Sequence, residues 1–208
     1  MAFKEKLEIF TFCTYIATNS QRLDILKKCL YAFGGKSDRR QVVVRAKKIN
    51  IRTLSMAYSL IGEVSVLINK VFTTTILFSV TSAFTYILLT IFGYFYLFYR
   101  KGITSNYIMV VVIMWCGMEF FFVSVIAFIC ENVLTSREEL KIISNDIIMN
   151  YALPKEVRNE AKILSNAVEA WPLRFSGYEM FFVDKRLLLA IISSTTTYLI
   201  FMIQICHF

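Results

Sequence analysis

The chain has 208 residues, of which 57% are hydrophobic and only 18% charged, with a net charge of +8. A composition this apolar excludes a disordered chain, which would bury too much apolar surface to stay open. Five cysteines, few and odd in number, exclude a small disulfide scaffold. The apolar residues are gathered into long runs, which argues against a water-soluble globule.

Residues 1–70 hold 13 of the 23 basic residues against 5 acidic ones, and so account for the whole net charge. Lys4, Glu5, Lys6 and Glu8 interrupt any early apolar core, so no secretory signal is read here. The first span is then expected to act as its own insertion signal. Gly34-Gly35 and Ser37-Asp38 break the chain. Gly35-Lys36-Ser37 is like the end of a phosphate loop, but Leu30 stands where that loop needs glycine. Lys36, Arg39 and Arg40 therefore read as a solvated basic turn. Residues 41–70 read as one helix running into the membrane, with Leu54, Tyr58, Ile61, Val64 and Ile68 on one apolar stripe.

Val71–Tyr99 is a run of 29 residues without charge, and Gly102–Cys130 is a second run of 29 with Glu119 as its one charge. Leu187–Phe208 is a third, of 22 residues, with none. About 20 helical residues cross the hydrocarbon core, so each run is long enough. Backbone amides in lipid must bond within the segment, which predicts helix despite the β-branched and aromatic content. The expected fold is all-α and multi-pass. Transmembrane helices are expected over 71–99, 107–130 and 187–206, with helical segments over 1–70 and 131–186.

Orientation follows from the basic residues. Residues 131–186 carry 8 basic and 9 acidic residues, and the tail after the third run has none. Segments 1–70 and 131–186 are expected in the cytoplasm and the C-terminus outside the cell. The juxtamembrane basic charge finds its partner in anionic lipid. A nucleic-acid partner is rejected.

Within 131–186, Ser136 and Glu139 have the spacing of a capping box, which starts a helix. That helix shows Leu140, Ile143, Ile147 and Ile148 on one side and should stop near Ala152, ahead of Pro154. A second helix is expected from Lys155 to about Ala170, ended by Pro172. Phe175, Tyr178, Phe181 and Phe182 read as a short cytoplasmic helix leading into the last span.

No enzyme constellation is found. His207 is the only histidine. No cysteine and histidine lie at metal spacing, and no cofactor is expected. Glu119 is the one ionisable residue at membrane depth and should face the protein interior or water. It reads either as a ligand or ion contact or as a hydrogen-bonded structural group. In the last span Ser193, Thr197, Ile200 and Gln204 share one helical face. Such a polar stripe can line a water-filled path or hold helices together.

Thr197-Tyr198-Leu199-Ile200-Phe201-Met202-Ile203-Gln204 resembles the signature of the insect gustatory receptors: Thr-Tyr, five apolar residues, then Gln, in the last transmembrane helix. Phe181-Phe182-Val183-Asp184-Lys185-Arg186-Leu187-Leu188-Leu189 resembles the run ahead of that helix. Leu67-Ile68-Asn69-Lys70-Val71-Phe72 resembles the entry to the fifth. The resemblance covers most of residues 45–205. Ile205 stands where that family usually has Phe. The chain would correspond to the last three of seven spans, as a partial or short form.

The resemblance implies a tastant-gated, non-selective cation channel in the cell membrane, a homo- or heterotetramer with other gustatory receptor subunits. Ser193, Thr197, Ile200 and Gln204 would line its pore. Tyr94, Tyr96, Tyr107, Trp115 and Glu119 are the candidate contacts for a small-molecule tastant. The alternative is a non-conducting membrane subunit that assembles with full-length receptors.

Overall fold

The computed structural model describes residues 2–33, 51–101 and 106–205. The basic turn at Lys36, Arg39 and Arg40, the first part of the 41–70 helix, and residues 206–208 lie outside the described residues. Helices α1 (Ala2–Phe33), α2 (Ile51–Lys101), α3 (Asn106–Met149), α4 (Lys155–Ala170) and α5 (Lys185–Ile205) make up nearly all of the described chain. The all-α expectation holds. Three of these helices are long and apolar enough to cross a membrane: α2, α3 and α5. Only 6% of the apolar window of α3 and 11% of that of α5 is buried within the chain. Those faces need a non-aqueous cover, which a bilayer supplies.

The chain divides into two compact units. One holds the described residues of Met1–Ile9, Thr73–Phe128 and Ser176–Phe208, and the other Phe10–Phe72 and Ile129–Phe175.

In the second unit the apolar faces of α1, α2, α3 and α4 meet. Phe12, Ile16, Leu23 and Leu30 of α1 are buried, as are Leu140, Ile143 and Ile147 of α3. The predicted α2 stripe is largely present, with Leu54, Tyr58, Ile61 and Ile68 buried. Val64 is the exception: it is exposed, and Ser65 takes the inward position. A serine is tolerated there because Asn19, itself buried, donates to its hydroxyl at 3.4 Å.

The predicted capping box at Ser136 and Glu139 does not form. α3 runs without interruption through both residues to Met149. Ser136 instead donates to Asp24 Oδ1 of α1 at 3.3 Å and accepts from Lys27 Nζ at 3.2 Å. Lys27 also pairs with Asp24 and Glu139, each at 2.7 Å. Tertiary partners for the hydroxyl and carboxylate remove the need for a helix start. The stop near 152 is present: α3 ends at Met149, and the Asn150 side chain accepts from the Ala152 amide at 3.1 Å. Pro154 then precedes α4, with φ −54°. Arg137 donates through Nε and an Nη to the Val168 carbonyl, and Ser144 donates to the Ala161 carbonyl at 2.8 Å. These bonds tie α4 to α3.

Trp171 ends α4 and wedges against α2. Its carbonyl accepts from the Tyr58 hydroxyl at 2.9 Å. A Cβ added at Gly62 would lie 2.5–2.8 Å from Trp171 Cγ, Cδ2 and Cβ. Only glycine lets this approach occur.

Residues 176–182 are not the expected short helix. Ser176–Gly177 pairs antiparallel with Phe181–Phe182, in the register Ser176 to Phe182 and Gly177 to Phe181. The Met180 amide donates to the Gly177 carbonyl at 3.0 Å, and the two residues between, Tyr178 and Glu179, have φ of 51° and 59°. This is the hand of turn that joins two twisted strands. Left-handed backbone costs a non-glycine residue roughly 1 kcal/mol. The turn is held by α2: Thr73 Oγ1 accepts from the Tyr178 amide at 2.8 Å and donates to the Ser176 carbonyl at 3.2 Å, and the Tyr178 and Thr74 hydroxyls meet at 2.8 Å. Helical periodicity cannot anticipate such a side-chain cradle.

Gly62→Ala should destabilise the chain by about 1–3 kcal/mol, because the methyl group meets the root of the Trp171 side chain. Gly117, with nothing within 4 Å of its added Cβ, is the control, and Gly117→Ala should hold or raise stability. Thermal melts of detergent-solubilised protein, followed by monodisperse elution, read both. A second expectation concerns Lys27. Burial pulls its amine pKa down, but hydrogen bonds and attraction from Asp24 and Glu139 outweigh this and raise it above 10.5. A raised folded pKa adds stability below the unfolded value that is lost as pH rises through the folded one. Lys27→Met should therefore cost about 1 kcal/mol below pH ~10, and the gap from wild type should close at higher pH. Melting temperatures of both proteins across that range are the check.

Candidate functional site

The first unit contains a cleft of about 510 Å³. Its wall from α2 carries Thr75, Ser79, Ser82 and Tyr86, spaced four, three and four apart, so one helical face lines it. α3 contributes Trp115, Glu119, Phe122 and Val123, again on one face. The first turns of α1 add Lys6, Glu8 and Ile9. Phe78 and Thr74 complete the lining. The size suits a small organic molecule.

The charged groups converge. Lys6 Nζ lies 3.4 Å from Glu119 Oε1 and 4.5 Å from the centre of the Phe122 ring. The Glu119 side chain is 15% exposed and that of Lys6 41%. Glu8 Oε2 accepts from the Thr75 hydroxyl at 2.9 Å. Glu119 thus has the interior position expected of an ionisable group on an apolar helix, with a cation as its neighbour.

Of the five tastant contacts named from sequence, the cleft brings together Trp115 and Glu119. It does not include Tyr94, Tyr96 or Tyr107. Tyr94 is half-buried with its ring 6.2 Å from that of Phe95, while Tyr96 and Tyr107 are exposed. The sequence reading missed Lys6, Glu8, Ser79, Ser82 and Tyr86. The polar spacing of Thr75, Ser79, Ser82 and Tyr86 is the signal that could have found the α2 wall.

Asp184 immediately precedes α5, and its Oδ1 accepts from the amides of Arg186 at 2.9 Å and Leu187 at 3.2 Å. These bonds satisfy two of the free donors at its first turn. Leu187, Ile191 and Thr195 are its buried residues. Tyr198 is exposed, with its ring 6.0 Å from that of Phe84 of α2. Ser193, Thr197, Ile200 and Gln204 are all exposed. At about 100° per residue their stripe lies roughly opposite the buried one. The Thr197 hydroxyl donates to the Ser193 carbonyl at 2.9 Å, so the stripe's hydroxyls lie along the helix surface. Thr195 is different. Its hydroxyl is buried and has no hydrogen-bond partner among the described residues.

Four cysteines among the described residues, Cys13, Cys29, Cys116 and Cys130, are free thiols. Burial pushes the Cys13 thiol up to about 11, which keeps it protonated and a poor nucleophile. Among the described residues no group of three or more His, Cys, Asp or Glu is placed to hold a metal ion.

Compared with curated proteins, the chain has no match. A family profile, that of the 7tm chemosensory receptors, matches residues 7–205. The match takes in the hairpin, all of α5 and every lining residue of the cleft except Lys6. With its three apolar helices and a signature face at the end of the last, the chain belongs to the 7tm chemosensory receptor family.

Proposed function

We propose that the chain is a gustatory receptor subunit of a tastant-gated, non-selective cation channel. α5 lines the pore, and the first-unit cleft receives the tastant. The observation that carries this reading is the split of α5 into two faces. Leu187, Ile191 and Thr195 pack inward, with the exposed Tyr198 touching Phe84 at one edge, while Ser193, Thr197, Ile200 and Gln204 point away from the rest of their own unit. A polar face turned outward on a spanning helix is unfavourable against acyl chains and favourable against water or a second subunit. Homo- or heterotetrameric assembly around a central axis supplies both. The chain then lies in the cell membrane with its charged segments in the cytoplasm and the end of α5 outside, except that the first turns of α1 reach membrane depth, where Lys6 pairs with Glu119.

Tastant binding favours the open state through its higher affinity for that state. Thr197 and Tyr198, adjacent in the signature, divide the work: Thr197 faces the pore and Tyr198 anchors the helix to α2.

The test is electrical. The chain is expressed with full-length receptor partners and stimulated with a tastant panel under calcium imaging and patch clamp. Gln204→Leu should lower cation current by roughly fivefold to tenfold at unchanged surface expression. Ser193→Cys and Thr197→Cys should make the current sensitive to a charged, water-soluble thiol reagent, and Leu187→Cys should not. Unchanged conductance, selectivity and gating in Gln204→Leu would overturn the pore assignment. If no α5 cysteine reacts while the chain still alters its partner's surface level, the non-conducting subunit replaces it.

A further inference from the structure

The cleft already shows an ammonium group in place. Lys6 Nζ sits between the Glu119 carboxylate, at 3.4 Å, and the face of Phe122, 4.5 Å from the ring centre. A carboxylate beside an aromatic face is a cation site. The fit of Lys6 to it is loose. A tight ammonium–carboxylate bond is about 2.7–2.9 Å long, and a Lys side chain 41% exposed can swing into water at little cost.

Resting on the reading of this cleft as the ligand site, we infer that its ligand is a hydrophobic organic cation. The ligand is a protonated amine or quaternary ammonium on an aromatic or aliphatic body. Its charge takes the place of Lys6 beside Glu119, and its body lies against Trp115, Tyr86 and Phe78. Two other ligand classes fit less well. An anion would have Lys6 as its counter-charge but would meet the carboxylates of Glu119 and Glu8, both in the lining. A polyol could still donate to the Thr75 and Ser82 hydroxyls, whose own protons go to Glu8 and to the Ser79 carbonyl, but it brings no positive charge to the Glu119 carboxylate or the Phe122 face. The aromatic groups point the same way, because an ammonium gains from ring faces once water is excluded.

The test uses three probes of matched shape and different charge: benzyltrimethylammonium, benzyl alcohol and benzoate. Each is titrated calorimetrically into the full chain in nanodiscs, with empty nanodiscs as reference. The ammonium should bind about tenfold more tightly than the alcohol, and benzoate most weakly. Glu119→Gln, which keeps the side-chain size, should abolish the preference for the cation. Lys6→Met should tighten ammonium binding several-fold, because the competing ammonium is gone. A folding defect in Glu119→Gln would show as a lowered melting temperature, and Lys6→Met, a change at a half-exposed position, then carries the test.

Equal affinity for all three probes, tightest binding of benzoate, or a Lys6→Met that weakens ammonium binding would overturn the inference. If the alcohol binds in a Trp115-dependent manner without preference for the cation, the ligand class is wrong and the cleft assignment stands. If none of the three binds, both fall.

Discussion

Inside a bilayer every backbone amide and carbonyl must find its partner within the protein, and this requirement governs the rest of the structure. Val71–Tyr99, rich in β-branched and aromatic residues, would favour strands in water. It is instead part of a helix of 51 residues. The same requirement extends to hydroxyl groups. Thr85, Thr90, Ser124, Thr196 and Thr197 each donate to the carbonyl four residues earlier. Thr73, Thr74 and Thr75 do otherwise: their hydroxyls bond the hairpin and Glu8. These three hydroxyls forgo their own helix for tertiary contacts, and all three sit on one turn of α2.

What the sequence made legible followed from length and periodicity. The three apolar runs and the α4 helix between Pro154 and Pro172 were readable, because in each a single helical pattern sets the outcome. What it hid depended on partners far away in the chain. Ser136 and Glu139 have the spacing of a helix start, yet Asp24 and Lys27, more than a hundred residues earlier, engage them in mid-helix. The 175–182 stretch carries aromatic residues at helical spacing, but Thr73 offers its backbone a different set of hydrogen bonds. Val64 and Ser65 exchange places because Asn19 makes the serine the better inward residue.

The cleft was half legible for the same reason. Trp115 and Glu119 stood out by residue type on an apolar helix. The α2 wall has a polar periodicity like that of α5, but it lies in a longer helix with more hydroxyls, and the pattern is diluted. Lys6 and Glu8 could not be placed, since an ion pair across 113 positions leaves no local trace.

Glu119 connects these observations. A carboxylate in the middle of an apolar helix is costly unless a cation or hydrogen-bond donors accompany it. The chain meets that demand with Lys6, held at a long distance on a half-exposed side chain. A ligand cation that replaces Lys6 leaves Glu119 paired as before, so the electrostatic terms of the two states nearly cancel. The net preference then comes from what Lys6 lacks, an apolar body that can cover Trp115, Tyr86 and Phe78. On the proposed reading this makes the cleft selective for shape once charge has been satisfied. Any conformational change that alters the distance between α1 and α3 at this level also alters the cost of Glu119. A ligand able to follow that change, where a tethered lysine cannot, would bind the two states with different affinity, which is the condition for it to gate.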